Sequence, residues 1–276
     1  MEASVRVSGK TMKRYLIREG QELDLGDFDP DDTGLLAGGK AEAEEHLPGI
    51  LERLTEAQEL LFANRERKLL VVLQGMDTSG KDGTIRHVMR GFNPQSTRVV
   101  PFRKPSEEEL EHDFLWRVHA KAPARGEVVV FNRSHYEDVL VVRVHNLVPE
   151  AVWKDRYEQI VGFERMLHET GTTIVKFFLH ISRDEQRERL QARLDDPKKC
   201  WKFQPGDLEE RKFWKDYMRS YEDALRKTST DWAPWYIIPA NKKWYRNYLV
   251  GSVLAQTVER LKLSYPKCKL SNVVVD

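Results

Sequence analysis

The sequence contains little cysteine, no charge excess and no long apolar run, and each of these absences excludes a class of protein. Only Cys200 and Cys268 occur among 276 residues, which excludes a disulfide framework and a cysteine-rich zinc site. The 45 Lys and Arg nearly balance the 44 Asp and Glu, unlike in a tail-driven nucleic-acid binder. No run approaches the roughly 18 apolar residues of a membrane span, and the N-terminus lacks an apolar signal core. We therefore expect a cytoplasmic globular protein that binds neither membranes nor nucleic acid.

The chain divides into a short N-terminal part and one large domain. Residues 1–40 mix charged residues with glycine and show no sustained period, so we expect a loosely packed extension or a partner-binding arm. The remainder, residues 41–276, is somewhat longer than a domain of roughly 100–200 residues, and it has enough apolar side chains for a core. Apolar residues recur three or four apart between residues 41 and 64, which predicts an amphipathic helix leading into that core.

Short β-rich runs then alternate with helical patterns. The predicted strands are Lys68–Leu73, Thr97–Phe102, Glu127–Phe131, Thr173–Ile181 and Trp235–Ile238. The predicted helices are Gly80–Arg90, Glu107–Lys121, Pro149–Glu169, Arg183–Leu194, Leu208–Lys227 and Trp244–Leu263. This alternation predicts a three-layer α/β fold, a five-stranded parallel sheet with helices on both faces. Ligands bind beyond the carboxyl ends of the strands in such sheets.

A glycine-rich loop follows the first predicted strand. Residues 75–83 read GMDTSGKDG, which matches the GxxxxGK pattern of phosphate-binding loops. Backbone N–H groups and the N-terminus of the next helix would face the phosphates, and Lys81 would contact their oxygens. The residues that we expect to bind phosphate here are Gly75, Thr78, Ser79, Gly80, Lys81, Asp82 and Gly83.

Two acidic side chains distinguish this loop from the usual form. Asp82 stands where a Ser or Thr hydroxyl normally binds Mg²⁺, and Asp77 lies inside the loop. Carboxylates beside phosphates repel them unless a cation lies between, so we expect Mg²⁺, or alternatively Mn²⁺, at Asp77 and Asp82. Asp77 as a general base or acceptor-positioning group, and Asp82 as an acid that favours a helix N-terminus, are the alternatives.

A second polar motif ends the third predicted strand, where FNRSHYED spans residues 131–138. A strand end of this kind usually carries a Mg²⁺-organising Asp, but Asn132 occupies that place. Glu137 and Asp138 can supply the negative charge, and we therefore expect them at a metal. Arg133 is placed to bind phosphate, or to pair with these acids at the surface. His135 is interpreted as a hydrogen-bonded structural residue.

Several motifs in order resemble the family-2 polyphosphate kinases. They are GMDTSGKDG, NPQ at 93–95, PFRKPS at 101–106, FNRSHYEDV at 131–139, and DDPKKCWKF with DLEERKFWKDY downstream. The resemblance covers about residues 40–265. It implies a P-loop kinase fold and phosphoryl transfer between inorganic polyphosphate and purine nucleotides (AMP, ADP, ATP). It also implies a homodimer or homotetramer. FNRSHYED in place of the common FDRSWYNR-like form resembles the subgroup that uses both AMP and ADP.

A polymeric phosphate donor requires a basic channel. Arg103 and Lys104 end the second predicted strand, and Arg189 and Arg193 share one helix face. These four residues are expected to contact polyphosphate, although a solvated helix with i,i+4 ion pairs would also explain the charges at 189 and 193. An arginine-bearing helical lid is expected at about 183–228. The resemblance implies that Arg193 reaches the transferred phosphoryl group.

We therefore interpret the sequence as that of a Mg²⁺-dependent polyphosphate:AMP/ADP phosphotransferase. Its expected catalytic residues are Asp77, Lys81, Arg133 and Arg193, and its expected nucleotide-binding residues are Asn132, Glu137 and Asp138. Two alternatives stay open. One is a nucleoside or nucleotide kinase that uses ATP as donor, the commonest role of this fold. The other is a polyanion-binding regulator without turnover, which the missing strand-end Asp would permit.

Overall fold

The computed structural model describes residues 13–267 and contains one mixed sheet. Its strands are β1 (Leu16–Ile17), β2 (Lys68–Gln74), β3 (Thr97–Pro101), β4 (Val128–Asn132), β5 (Thr172–His180) and β6 (Trp235–Pro239). The order across the sheet is β1-β6-β5-β2-β4-β3, and every neighbouring pair is parallel except β1 and β6. The prediction of an α/β fold is confirmed, and the five predicted strands form its parallel part.

Ten α-helices connect and cover the strands within the described residues. They are α1 (Gly39–Asn64), α2 (Lys81–Val88), α3 (Glu107–Leu110), α4 (Trp116–His119), α5 (Val141–Val144), α6 (Glu150–Glu169), α7 (Arg183–Asp195), α8 (Pro205–Lys212), α9 (Trp214–Thr228) and α10 (Lys243–Glu259). Short 3₁₀ helices lie at Leu25–Asp27, His135–Val139 and Cys200–Lys202. No helix of the described part is long and apolar enough to cross a membrane.

The central strands are buried on both faces because helices cover the sheet from both sides. Val71 of β2 lies between Val130 of β4 and Val175 of β5, and all three are fully buried. Helices α1 and α10 pack against each other, and α10 also contacts β5 and β6. Helix α6 packs on β5 and on α9. Runs of Val, Leu and Ile specify such strands, since neither face is left to solvent.

The N-terminal part differs from the loosely packed extension that we expected. Residues 16–17 form β1, the antiparallel edge strand beside β6, and Tyr15 and Ile17 are buried. The Tyr15 hydroxyl donates to Asp32 at 2.6 Å and lies 2.8 Å from the Tyr245 hydroxyl in α10. Residues 13–38 are therefore anchored to the core, while residues 1–12 lie outside the described residues.

Two predicted helices are each divided in two. The pattern from 107 to 121 is interrupted at Asp113, whose carboxylate accepts the backbone N–H of Leu115 at 2.9 Å and forms a turn between α3 and α4. The pattern from 208 to 227 breaks at Phe213, between α8 and α9, and α8 begins earlier, with Pro205 in its first turn. Local side-chain bonds override the apolar periodicity at the first of these breaks.

Candidate active site

The two polar motifs lie side by side at the carboxyl edge of the sheet. Leu73 of β2 is paired with Asn132 of β4, so the residues after both strands emerge together. The backbone N–H of Arg133 donates to the Leu73 carbonyl at 3.0 Å, and the Gln74 amide donates to the Ser134 hydroxyl at 3.1 Å. These bonds fix the start of one motif against the other.

The 75–83 loop uses backbone conformations that favour glycine. Gly75 has φ 149° and Gly80 has φ 102°, and a Cβ on Gly75 would lie 2.7 Å from the Leu179 carbonyl oxygen. Thr78 is also left-handed, with φ 66°. Left-handed non-glycine residues concentrate at functional sites, where the surroundings hold them in place. The loop is therefore held in one curved shape.

Lys81 begins α2 and lies beneath this loop. Only 9% of its surface is exposed, and its ammonium donates to the carbonyls of Gly75 at 2.7 Å and Met76 at 3.2 Å. Burial, assisted by the charge of Arg133, lowers the pKa of Lys81 to about 8. The ammonium is still protonated at neutral pH, because the nearby carboxylates of Asp77, Glu137 and Asp82 partly offset the effect of burial.

Asp77 and Arg133 join the two motifs through an ion pair. Arg133 Nη2 lies 2.7 Å from Asp77 Oδ1. Burial raises the pKa of the Asp77 carboxyl, but the positive charges of Arg133 and Lys81 outweigh it and hold the pKa below its ordinary value. A second bond joins the motifs, because the Asn132 amide donates to Asp82 Oδ1 at 2.8 Å. Asn132 is thus an orienting partner of Asp82.

The positively charged side chains predicted around the loop fall into two groups. Arg193 of α7 is near enough to the loop for its charge to lower the pKa of Asp77, and its Nη1 lies 4.0 Å from Asp207 of α8. Arg103 and Lys104 follow β3 and are exposed. Neither forms an ion pair within the described residues, so both are free to meet an anion in solution.

A Mg²⁺ ion fits this donor set only together with phosphate oxygens. Within residues 13–267, no three His, Cys, Asp or Glu side chains converge on one point. Asp77, Asp82 and the half-buried Glu137 nevertheless offer carboxylate oxygens around the loop, and the hydroxyl of Thr84 is buried without a hydrogen-bond partner in the described part of the chain. Mg²⁺ is commonly bound by one or two carboxylates plus substrate phosphates, so the residues fit such an ion.

Asp138 is held by α6. Its carboxylate is 3.1 Å from Arg156 Nη1 of α6, and the backbone carbonyl of Asp138 accepts from the same nitrogen at 3.0 Å. Burial raises the pKa of Asp138 to about 6, although Arg156 lowers it. The predicted nucleotide and metal roles of Asp138 are not supported, because the residue instead anchors the motif to α6.

Arg189 lies at the loop but does not face the phosphate side. Its guanidinium donates to the carbonyls of Thr78, Ser79, Ala240 and Asn241 at 2.6–3.1 Å, and its Nε donates to Glu185. All of its donor groups are engaged by the protein. The predicted phosphate contact of Arg189 is therefore replaced by a structural one, which ties α7 and the segment after β6 to the loop.

Sequence reasoning missed a buried charged cluster beneath the second motif. Lys176 of β5 and Glu164 of α6 form an ion pair with both side chains fully buried. Glu164 also accepts from Tyr136 at 2.9 Å and lies 3.1 Å from His135 Nε2. The structural role predicted for His135 is thereby confirmed. The signal in the sequence was a lysine in the middle of an otherwise apolar strand.

Comparisons with known proteins agree with the motifs. The family model described as polyphosphate kinase 2 matches residues 39–266. An AMP/ADP-polyphosphate phosphotransferase from Meiothermus ruber is 58% identical over 93% of this chain and 96% of its own, and an ADP-polyphosphate phosphotransferase from Rhodopseudomonas palustris is 47% identical over 92% of each. The crystal structure of polyphosphate kinase 2 from Arthrobacter aurescens TC1 superposes with a TM-score of 0.91 at 45% identity, covering 94% of this chain and 92% of that one. The chain therefore belongs to the polyphosphate kinase 2 family.

Proposed function

We propose that this protein transfers a phosphoryl group from inorganic polyphosphate to AMP and/or ADP, forming ADP and ATP, with Mg²⁺ as cofactor. The observation that carries the proposal is the convergence of Lys81, Arg133 and Asp77 at one edge of the sheet. Family membership supports it, because relatives 58% and 47% identical to this chain are named as phosphotransferases of polyphosphate and AMP/ADP or ADP.

The reaction exchanges one phosphorus–oxygen bond for another. A terminal phosphate oxygen of the nucleotide attacks the terminal phosphorus of polyphosphate, and the anhydride bond to the next phosphate breaks. The electron pair of that bond leaves on the shortened polymer. The attacking oxygen is already ionised at neutral pH, so no general base is required. Catalysis then depends on positioning and on stabilising charge over the three equatorial oxygens.

The donor end is bound by the 75–83 loop and the cations around it. Free backbone N–H groups of the first turn of α2 point towards the phosphates, as at other helix N-termini. Lys81 and Arg133 contact the phosphate oxygens in this arrangement and stabilise the charge that develops during transfer. Asp77, assisted by Asp82 and Glu137, would hold Mg²⁺, and the bound ion would supply positive charge that offsets the repulsion between these carboxylates and the substrate phosphates.

The nucleotide lies on the side of the second motif. Glu137 is half-buried. The negative charges of Glu137 and Asp77 both raise the pKa of Arg133, although burial lowers it. The Glu137 carboxylate can therefore organise the acceptor phosphate through the metal or through Arg133. Asn132 holds Asp82 beside it. We assign the acceptor site to Asn132 and Glu137, and leave out Asp138.

Residues 183–228 act as a lid in this proposal. Arg193 is on α7, its charge lowers the pKa of Asp77, and its Nη1 lies 4.0 Å from Asp207 of α8. Closure of this segment, including the end of α7, over the loop would bring Arg193 to the transferred phosphoryl group and exclude water from it. The exposed Arg103 and Lys104 then guide the rest of the polymer away from the loop.

The donor is tested with purified protein, Mg²⁺ and AMP, supplied with either long-chain polyphosphate or ATP. Nucleotide products are separated by ion-exchange chromatography. The proposal predicts rapid formation of ADP and ATP with polyphosphate. Phosphorylation with ATP alone would instead identify an ATP-dependent nucleotide kinase. Tight polyphosphate binding without any product would identify a polyanion-binding regulator.

A further inference from the structure

Arg246 of α10 is a buried cation behind the 75–83 loop. Only 2% of its surface is exposed. Its Nε and Nη2 donate to Asn247 Oδ1 at 3.2 and 2.9 Å, and its Nη1 donates to the Ser79 carbonyl at 3.4 Å. Within the described residues its guanidinium forms no ion pair with a carboxylate. Burial and the charge of Arg189 lower the pKa of Arg246 to about 10, so it is protonated at neutral pH.

The loop is shaped around this guanidinium. A Cβ on Gly80 would lie 1.8 Å from Arg246 Nη1, and a Cβ on Gly83 would lie 3.1 Å from Nη2. No L side chain can occupy the first of these positions without displacing the arginine. Two glycines of the GxxxxGKxG sequence therefore allow Arg246 to approach the backbone closely from behind the loop, in addition to their role at the phosphate side.

Arg246 and Arg189 bind the same side of one peptide unit. The Ser79 carbonyl accepts from Arg189 at 3.1 Å and from Arg246 at 3.4 Å. The described chain has no cis peptide bond, and in a trans peptide the N–H points opposite to the carbonyl. With the Ser79 carbonyl held from behind, the N–H of Gly80 faces the other side of the loop, away from both arginines.

We propose that Arg246 is a positioning residue for phosphate binding, which orients the Ser79–Gly80 peptide and leaves an unneutralised positive charge behind the loop. An anion on the front of the loop balances that charge, because no carboxylate among residues 13–267 forms an ion pair with the guanidinium. The identity of this anion as polyphosphate rests on the proposed function. The arginine itself touches no substrate and acts through the loop.

The test compares Arg246→Met, Arg246→Lys and the control Arg260→Met, which removes an exposed charge beyond the end of the same helix. Calorimetry measures the Kd for tripolyphosphate, and steady-state assays measure kcat and KM for polyphosphate. We expect Arg246→Met to weaken tripolyphosphate binding by about 10- to 100-fold, as for a lost hydrogen bond of a charged group. Arg246→Lys keeps the charge and should recover part of this loss, and Arg260→Met should match wild type.

Folding of each variant is checked by circular dichroism and melting. If Arg246→Met is folded and binds tripolyphosphate with wild-type affinity, the inference is overturned. If that variant fails to fold, Asn247→Ala replaces it, since it removes the acceptor that holds the guanidinium. At least threefold weaker binding is then expected, and unchanged binding overturns the inference. A wild-type protein that binds tripolyphosphate but transfers no phosphoryl group would contradict the proposed function. The Kd values of wild type and Arg246→Met would still test the role of Arg246 in that case.

Discussion

Asp77 is an acid whose charge is balanced by several cations of the site. Its carboxylate pairs with Arg133 at 2.7 Å and lies in the field of Lys81 and Arg193, which keeps it ionised in spite of burial. Its backbone carbonyl also accepts from Gln186 of α7 at 3.1 Å, so both its backbone and its side chain are fixed. One residue thus connects the loop, the second motif and the helical segment proposed as the lid.

Replacing Asp77 by Asn should lower kcat by about 10²- to 10³-fold, because an amide neither balances Arg133 nor binds Mg²⁺ as strongly. The side chain is 31% exposed, so we expect the melting temperature to change little. Turnover is measured by ion-exchange separation of nucleotides. Asp155→Asn, an exposed acid on α6, is the matched control. Wild-type turnover in Asp77→Asn would refute the assignment of Asp77.

At the scale of elements, α7 is attached to the loop at its base. Gln186 and Arg189 both donate to loop carbonyls, and Arg211 of α8 donates to Gln186 Oε1 at 3.0 Å. Glu210 of α8 lies 3.0 Å from His145 of α5. The base of the segment is therefore fixed against the loop, and a lid movement of α8 would have to break the contacts of Arg211 and Glu210.

The exposed side chains of Arg103 and Lys104 follow β3. We propose that these two residues bind the part of the polyphosphate chain that extends beyond the loop, and we call them the polymer track. The double variant Arg103→Glu/Lys104→Glu should raise the KM for long-chain polyphosphate by about tenfold at low salt, and by less for tripolyphosphate, because the short donor does not reach the track. High salt should reduce the difference through screening. Steady-state kinetics with donors of both lengths measure this effect.

The control for this pair is Lys121→Glu/Arg125→Glu, which reverses two exposed charges after α4. We expect its KM values to match wild type. Equal effects of the two double variants would indicate a general loss of electrostatic attraction, and an unchanged KM in Arg103→Glu/Lys104→Glu would remove the polymer track from this face.

Part of the fold and part of the candidate site could be predicted from the sequence. The Val- and Leu-rich strands and the GxxxxGK loop are local patterns, and they led to the sheet, the loop and the Asp77–Lys81 part of the site. The role of Arg189 could not be predicted, since its partners at 240–241 lie about fifty residues away. β1 was missed because a two-residue strand has no periodicity, and the burial of Tyr15 depends on distant α10.

For the whole molecule, a buried histidine at the end of β5 should make stability depend on pH. His180 ends β5 and is 8% exposed. Burial lowers its pKa from 6.5 to about 4, although a hydrogen bond with the Phe28 backbone raises it. The unfolded chain therefore binds one more proton than the native protein between these two pH values. Stability from neutral His180 is present above pH 6.5 and is lost as pH falls to about 4.

This contribution amounts to about 3 kcal/mol of the free energy of unfolding when the pKa difference is converted. Urea denaturation between pH 7 and pH 4 should show a steeper loss of stability in the wild type than in His180→Gln, which does not titrate. Parallel pH profiles of the two proteins would show that His180 is not buried in its neutral form.

The proposed reaction is tested with purified protein, Mg²⁺ and long-chain polyphosphate, with AMP or ADP added in turn, for wild type and for Lys81→Ala. We predict ATP from both acceptors, and its loss in folded Lys81→Ala, since we propose that the Lys81 ammonium binds the transferred phosphates. ATP from ADP alone would contradict the acceptor role given to Glu137. Nucleotide products that persist unchanged in Lys81→Ala would contradict the placement of the reaction at this loop.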